Sequence, residues 1–68
     1  MTNLKTIREQ KGINQTQLAA MLGVSQGSVS AWETGRWEPS IDALKKIALI
    51  LSVTVDDLIG DTNDARGI

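Results

Sequence analysis

The stretch from residue 23 to residue 35, GVSQGSVSAWETG, combines a carboxamide side chain with many small and hydroxyl-bearing residues. The carboxamide is that of Gln26, and a glutamine can pair with N6 and N7 of adenine through two hydrogen bonds. The small residues that follow it are Gly27, Ser28, Ser30 and Ala31. Apolar residues nevertheless recur at helical spacing, at Val29 and Trp32. The stretch therefore predicts a helix whose outward face lies against the backbone of another molecule. That face contains Gln26, Gly27, Ser30 and Ala31.

Bond-breaking chemistry finds little support in the composition. The chain contains no cysteine and no histidine, so the usual nucleophile–base pairs and the commonest metal ligands are missing. Serines and carboxylates are present, but nothing in their spacing indicates an activated nucleophile. The sequence predicts a protein that is not an enzyme, with no cofactor, no metal site and no evident small-molecule ligand.

Charge is distributed unevenly along the chain. The net charge is −1, which is unusual for a protein that contacts phosphates. Up to residue 55 there are six basic and four acidic side chains, whereas from Asp56 onward there are one and four. An anionic partner is therefore expected to approach the first part of the chain.

The length of 68 residues indicates a single small domain. The first residues lack the apolar stretch of a signal peptide, and the longest apolar run, at 47–51, is too short to span a bilayer. We expect a soluble, cytoplasmic protein with no membrane contact. A domain over residues 1–60 and a flexible tail over 61–68 complete the predicted organisation.

Cap residues and apolar spacing divide the chain into five short helices, with no competing strand pattern. The predicted helix starts are Thr2 or Asn3, Asn14, Ser25, Ser40 and Thr54. The predicted helix ends are Gly12, Gly23, Gly35 and Gly60. In the fourth helix one apolar stripe is expected to face the core, formed by Ile41, Leu44, Ile47, Ala48 and Leu51.

The second and third helices are joined by only three residues, GVS. A connection this short predicts that the two helices cross steeply, as in a helix-turn-helix. Ala19 provides a small side chain where the helices approach, and Gly23 can adopt a positive φ without steric cost.

Four segments, LKTIREQKGINQTQLAAMLGVS, SVSAWETG, PSIDALKKIALIL and VTVDDLIG, together resemble the Cro/Xre-type helix-turn-helix repressors of phages and bacteria. The resemblance runs from Leu4 to Gly60. It implies an all-α, compact five-helix bundle of the lambda-repressor-like kind, usually acting as a dimer on a roughly palindromic operator.

The resemblance also implies roles for individual residues. The third helix would enter the major groove of double-stranded DNA, where family members contact bases from the positions of Gln26, Gly27 and Ala31. Gly27 and Ala31 have little side chain to reach with, which predicts a domain that discriminates bases only modestly and in which Ser28 or Ser30 takes part. Phosphate contacts are expected from Gln15, Ser25, Ser28, Thr34 and Arg36. The family pattern places Arg8 and Glu33 as a structural ion pair between the first and third helices. Trp37 belongs to no core stripe, so flanking the DNA and covering the loop are both compatible with its position.

Two residues of the fourth helix, Leu49 and Ile50, fall off its apolar stripe and are expected to be at least partly exposed. With Val55 and Ile59 they predict an apolar patch at the end of the domain where this family tends to form dimers. The predicted partner is therefore a second copy of the chain in a two-fold homodimer.

The sequence as a whole predicts a small transcriptional regulator, most simply a repressor, that occupies a short operator. An alternative is a protein-interaction module, such as an antitoxin or accessory partner, that keeps the fold with weak or non-specific DNA binding. The net acidity and the reduced side chains of the third helix favour the alternative.

Overall fold

The computed structural model describes residues 2–59, and every regular element in this range is an α-helix. In chain order the helices are α1 (Leu4–Gln10), α2 (Gln15–Leu22), α3 (Gln26–Thr34), α4 (Ile41–Leu51) and α5 (Val55–Ile59). The predicted all-α, five-helix fold is therefore confirmed for these residues. The predicted end of α5 at Gly60 and the predicted tail 61–68 lie outside the described residues. None of the described helices is long and apolar enough to cross a membrane.

Side chains cap the helix starts that the sequence predicts. Asn14 accepts a hydrogen bond from the N–H of Gln17 at 2.7 Å, and the Gln17 carboxamide oxygen accepts one from the N–H of Asn14 at 2.8 Å. Ser25 and Ser40 each accept the N–H of the residue three positions later, at 3.1 Å. A cap of this kind satisfies an N–H that the helix start leaves without a partner and contributes about 1 kcal/mol. Local sequence therefore sets where α2, α3 and α4 begin.

The helix ends differ in how they are encoded. Gly23 and Gly35 follow α2 and α3 with φ of 75° and 83°, a left-handed conformation that glycine adopts without a Cβ clash. Both of these ends were predicted. The end of α4 is instead formed by Ser52, with φ of 60°, although no glycine marks the position. A residue with a Cβ pays about 1 kcal/mol for this conformation, so α4 ends under backbone strain.

The core is formed by one face of every helix. Its most deeply buried side chains, at most 1% exposed, are Leu4, Leu18, Val29, Ile47, Leu51 and Leu58. The predicted stripe of α4 is wrong for Ile41, which is 66% exposed, because this residue lies on the first turn at the edge of the stripe. Trp32, predicted to face inward, is half-buried and packs against the side of the core.

The two ends of the described chain meet at α1 and α5. The Asn3 N–H donates to the carbonyl of Leu58 at 2.7 Å, and the Asn3 carboxamide donates to the carbonyl of Asp57 at 3.2 Å. Asn3 occupies the position before α1 but makes no side-chain cap there. Its side chain instead holds the start of α1 against α5, which closes the bundle.

Candidate nucleic-acid interface

The turn between α2 and α3 contains only Gly23, Val24 and Ser25. Its backbone folds back on α2, because the Val24 N–H donates to the carbonyl of Ala19 at 3.0 Å. Ala19 is buried, as expected of a small residue under the turn, and α3 packs mainly against α2. The first turn of α3 is left at the surface, with both Gln26 and Gly27 exposed.

A buried ion pair underlies this arrangement. Arg8 of α1 donates from Nε to Glu33 Oε2 of α3 at 2.6 Å and from Nη2 to Glu33 Oε1 at 3.1 Å. The side chains are only 8% and 3% exposed, and Arg8 Nη1 also donates to the carbonyl of Ile13 at 2.8 Å. Burial alone raises the pKa of the Glu33 carboxyl, but the hydrogen bonds from Arg8 and Gln15 and the charge of Arg8 outweigh it, so the pKa lies below its usual value. The Glu33 carboxylate is therefore a fixed, ionised acceptor behind α3.

Glutamine side chains extend this pair to the protein surface. Gln15 Nε2 donates to Glu33 Oε1 at 2.9 Å, and Gln15 Oε1 accepts a hydrogen bond from Gln26 Nε2 at 2.6 Å. A continuous chain of hydrogen bonds thus runs from Arg8 through Glu33 and Gln15 to Gln26. We call these four residues the polar relay. It connects the inside of the bundle to the first residue of the exposed helix.

Gln26 keeps the groups that pairing with adenine requires. Its link to Gln15 uses one of two Nε2 hydrogens, and its Oε1 makes no hydrogen bond within the part of the chain that the structure describes. One donor and one acceptor on the same carboxamide remain, which matches the donor and acceptor of an adenine edge in the major groove.

The predicted base-contacting residues differ in exposure. Gly27 is exposed, and a Cβ built on it would meet nothing closer than Ser25 Oγ at 3.8 Å, an ordinary contact. The fold itself therefore does not require glycine at this position. Ser30 is half-buried, so it offers less surface than Gln26 and Gly27.

Ala31 requires a correction. It was expected on the outward face with its methyl group available to a base, but it is only 2% exposed. The chain after α3 turns back here, and the N–H groups of both Arg36 and Trp37 donate to the Ala31 carbonyl, at 3.0 and 3.2 Å. A methyl group that is 2% exposed presents almost no surface to a base, so the expected outward position of Ala31 is wrong.

The predicted phosphate-contacting residues lie near the two ends of α3. Ser25 and Ser28 are linked through their hydroxyl oxygens at 3.0 Å, and the Thr34 hydroxyl donates to the carbonyl of Ala31 at 3.3 Å. Gln15, by contrast, is engaged on both ends of its carboxamide by the polar relay. Arg36 is exposed, and its guanidinium makes no hydrogen bond or ion pair with any residue between 2 and 59. No described neighbour therefore neutralises the positive charge of Arg36.

The apolar residues predicted for dimer contact lie on α4 and α5. Leu49 on α4 is 82% exposed, while Ile50 and Val55 are partly buried and pack against the core. Ile59 is also half-buried. The expectation that Leu49 and Ile50 are at least partly exposed is confirmed.

Sequence reasoning missed the contact between Gln15 and Gln26. A signal was present, since each glutamine directly follows an N-cap and is the first residue of its helix. The three-residue turn joins the end of α2 to the start of α3, so the approach of the two helix starts follows from how the helices cross.

The α2–turn–α3 pair, with the start of α3 exposed and anchored from within, defines a helix-turn-helix domain. A family model described as "Helix-turn-helix" matches residues 4–58. The chain belongs to this family, and the resemblance to its Cro/Xre-type members is confirmed. Membership also agrees with the expectation that the protein is not an enzyme.

Curated relatives share the domain. The chain is 41% identical over 56 residues to the HTH-type transcriptional activator BcrR of Enterococcus faecalis, which covers 82% of this chain and 28% of BcrR. It is 38% identical over 63 residues to the uncharacterized HTH-type transcriptional regulator YqaE of Bacillus subtilis, covering 91% and 54% of the two chains. It is 34% identical over 55 residues to the ImmF control region 10 kDa protein of Bacillus phage phi105, covering 81% and 61%. The chain thus spans between about a quarter and three fifths of the length of these relatives.

Proposed function

We propose that this domain binds double-stranded DNA sequence-specifically and regulates transcription, with α3 lying in the major groove. The observation that carries the proposal is the polar relay, which ends at an exposed glutamine on the first turn of the second helix of a helix-turn-helix. A side chain held from the inside of the protein, with a free donor and acceptor at its tip, is suited to reading a base edge.

Base recognition is assigned to the start of α3. Gln26 pairs with an adenine, Gly27 lets the helix backbone approach the groove closely, and Ser30 contributes at the margin of the contact. Because only Gln26 has a long side chain here, most of the discrimination depends on a single base pair in each half-site, and each mismatch there costs about 1–3 kcal/mol.

Backbone and hydroxyl groups position the domain on the phosphates. The N-terminus of α2, at Gln15, and that of α3, beside Ser25 and Ser28, present N–H groups to a DNA strand. Thr34 and Arg36 contact the strand beyond the far end of α3. The Gln15 side chain supports Gln26, so its phosphate contact comes mainly from the backbone.

The regulatory form of the protein is a homodimer on a palindromic operator, joined through Leu49, Ile50, Val55 and Ile59. A two-fold axis at this end of the domain would set two α3 helices about 34 Å apart, one turn of DNA. Bound in this way, the protein acts as a repressor by excluding polymerase or an activator from the operator.

A protein-interaction module is the second candidate. It is favoured by the acidic net charge and by apolar side chains at the surface, with Leu49 82% and Trp37 56% exposed. Such a module would keep the fold and bind DNA weakly through charge alone.

Selection of bound duplexes from a random pool separates the two candidates. We expect a palindromic consensus containing an adenine in each half-site, with an affinity that falls steeply as salt rises. Sedimentation of the protein with the selected duplex should show two chains on each duplex. Failure to enrich any sequence, with only weak salt-dependent binding, would refute sequence-specific recognition and favour the interaction module. A single chain on each duplex would refute the dimer alone.

A further inference from the structure

A cavity of about 490 Å³ opens beside the C-terminal end of α3, away from the polar relay. Its walls come from α3, the loop after α3, α4 and α5, and they include Trp32, Trp37, Glu38, Pro39, Leu44 and Ile59. Cavities of about 300–1,000 Å³ with mostly apolar walls are the usual size for small organic ligands. Both tryptophans of the chain line this one.

The described lining of the cavity carries charge of one sign only, which is negative. Glu38 is the only ionisable side chain among the described residues of its lining. No ion pair of Glu38 occurs within residues 2–59, so its carboxylate is not neutralised by a described neighbour. Indole faces also attract cations, by about 0.5–2 kcal/mol depending on how far the cation is desolvated. A cation is therefore favoured and an anion disfavoured.

The two indoles differ in how they are held. Trp32 packs against the core, and a second, smaller cavity of about 260 Å³ lies against it as well. Trp37 is 56% exposed and is anchored through its backbone N–H on the Ala31 carbonyl at 3.2 Å. One wall of the larger cavity is thus fixed by the core, whereas the Trp37 ring has room to settle on a ligand.

We propose that this cavity binds an apolar organic cation, such as an aralkyl quaternary ammonium ion, between the indoles of Trp32 and Trp37 with the positive charge towards Glu38. The apolar walls formed by Leu44 and Pro39 receive the hydrocarbon part. A hydrated metal ion would find too few oxygen ligands here, because Glu38 supplies the single carboxylate of the described lining.

The two tryptophans provide the measurement, since a proton–nitrogen correlation spectrum of the full chain contains two indole N–H signals. The probe is benzyltrimethylammonium, with its neutral carbon analogue neopentylbenzene and the anion phenylacetate for comparison. We expect the cation to shift both indole signals in a saturable way, to bind about fivefold more tightly than the neutral analogue, and phenylacetate to shift neither. Equal binding of the cation and the neutral analogue would overturn recognition of charge.

Matched variants locate the site. Glu38→Gln should weaken binding of the cation about fivefold and leave binding of the neutral analogue unchanged, and Trp37→Leu should weaken binding of both. Glu9→Gln, which removes an exposed carboxylate on α1, is the control and should change neither affinity. A folded protein whose indole signals do not respond to the cation, or a Glu38→Gln variant with unchanged affinity, overturns the proposal. The titration contains no DNA, so its outcome is independent of the proposed function.

Discussion

Gln15 and Gln26, the first residues of α2 and α3, are joined side chain to side chain by a hydrogen bond of 2.6 Å. Since Gln15 is bonded in turn to the buried Glu33, the carboxamide of Gln26 is already oriented in the free protein. Immobilising a flexible side chain on binding costs about 0.5–1.5 kcal/mol, and this cost is reduced when the side chain is held beforehand. If Gln26 reads a base as proposed, the relay lowers the entropic cost of that contact.

Replacing Gln26 tests the assignment of base reading. Gln26→Ala should lose about 1–3 kcal/mol of binding free energy on the selected duplex and little on duplexes with another base at that position, because one bidentate contact disappears. Equilibrium titration of both duplexes measures the difference. Gln10→Ala, an exposed glutamine at the end of α1, serves as the control and should bind like the parent. Equal loss on every duplex would remove Gln26 from the base-reading role.

Arg36 should behave as a phosphate contact. Arg36→Gln is expected to lower affinity on all duplexes alike and to reduce the slope of log affinity against log salt by about one, because one counterion fewer is released. The slope is obtained from titrations at several salt concentrations. Lys45→Gln removes an exposed positive charge on α4 and should leave the slope nearly unchanged. The assignment fails if the two variants cannot be distinguished.

Removing one member of the buried ion pair should destabilise the domain strongly, whereas replacing both members with apolar residues should destabilise it less. Arg8→Met leaves the Glu33 carboxylate, 3% exposed, without its cation and should lower the free energy of unfolding by about 3–5 kcal/mol. The double variant with Glu33→Leu should recover much of this loss, since no buried charge remains. Urea denaturation of the single and double variants measures both values. A double variant less stable than Arg8→Met alone would contradict this account of the pair.

The same pair predicts a dependence of stability on pH. The pKa of Glu33 is lowered in the folded protein from its ordinary value of 4.5, so the stabilisation is fully present above pH 4.5 and is lost as pH falls through the folded-state pKa. The difference in unfolding free energy between the parent and Glu33→Gln should therefore narrow below pH 4.5. Denaturation series at stepped pH give this difference directly. A difference for Glu33→Gln that does not change with pH would argue against the lowered pKa of Glu33.

Gly27 should separate stability from DNA affinity. Gly27→Ala is expected to stabilise the domain by about 0.5–1 kcal/mol, because alanine is the better helix former and its Cβ meets only an ordinary contact at 3.8 Å. Affinity for the selected duplex should fall, since the added methyl group keeps the helix backbone away from the groove. Thermal melting and DNA titration measure the two effects. Gly23→Ala should instead destabilise the domain, because Gly23 has a φ of 75°, which alanine adopts only at a cost. An unchanged DNA affinity of Gly27→Ala would contradict the close approach of the α3 backbone to the groove.

The helix starts could be predicted from the sequence because their causes are local. Asn14 with Gln17, and Ser25 and Ser40, make the expected caps with residues three positions away. The donor and the acceptor of each cap lie within four consecutive residues, so these caps can be predicted without knowing the rest of the fold. The same holds for the glycine-marked end of α2 at Gly23.

The burial of individual side chains could be predicted less completely, because it depends on how other parts of the fold pack around them. Helical periodicity places Ala31 opposite Val29, yet Ala31 is only 2% exposed, and the chain after α3 folds back to hydrogen-bond its carbonyl. Ile41 has the spacing of a core residue but lies on the first turn of α4, where it stays 66% exposed. The left-handed Ser52 carries no sequence signal, since serine at a helix end is ordinary. In the candidate site, the residue types were predictable and the relay that connects them was not.

The hydrogen bonds from Asn3 to Leu58 and Asp57 have a consequence for how the chain may be cut and rejoined. The start of α1 lies against α5, so the first and last described helices are neighbours in the fold although they are far apart in the sequence. A circularly permuted chain, with α5 linked to α1 by a short connector and new termini in the loop before α4, would retain the α2–α3 unit unbroken. We therefore expect the α2–α3 surface to form whichever helix comes first in the chain.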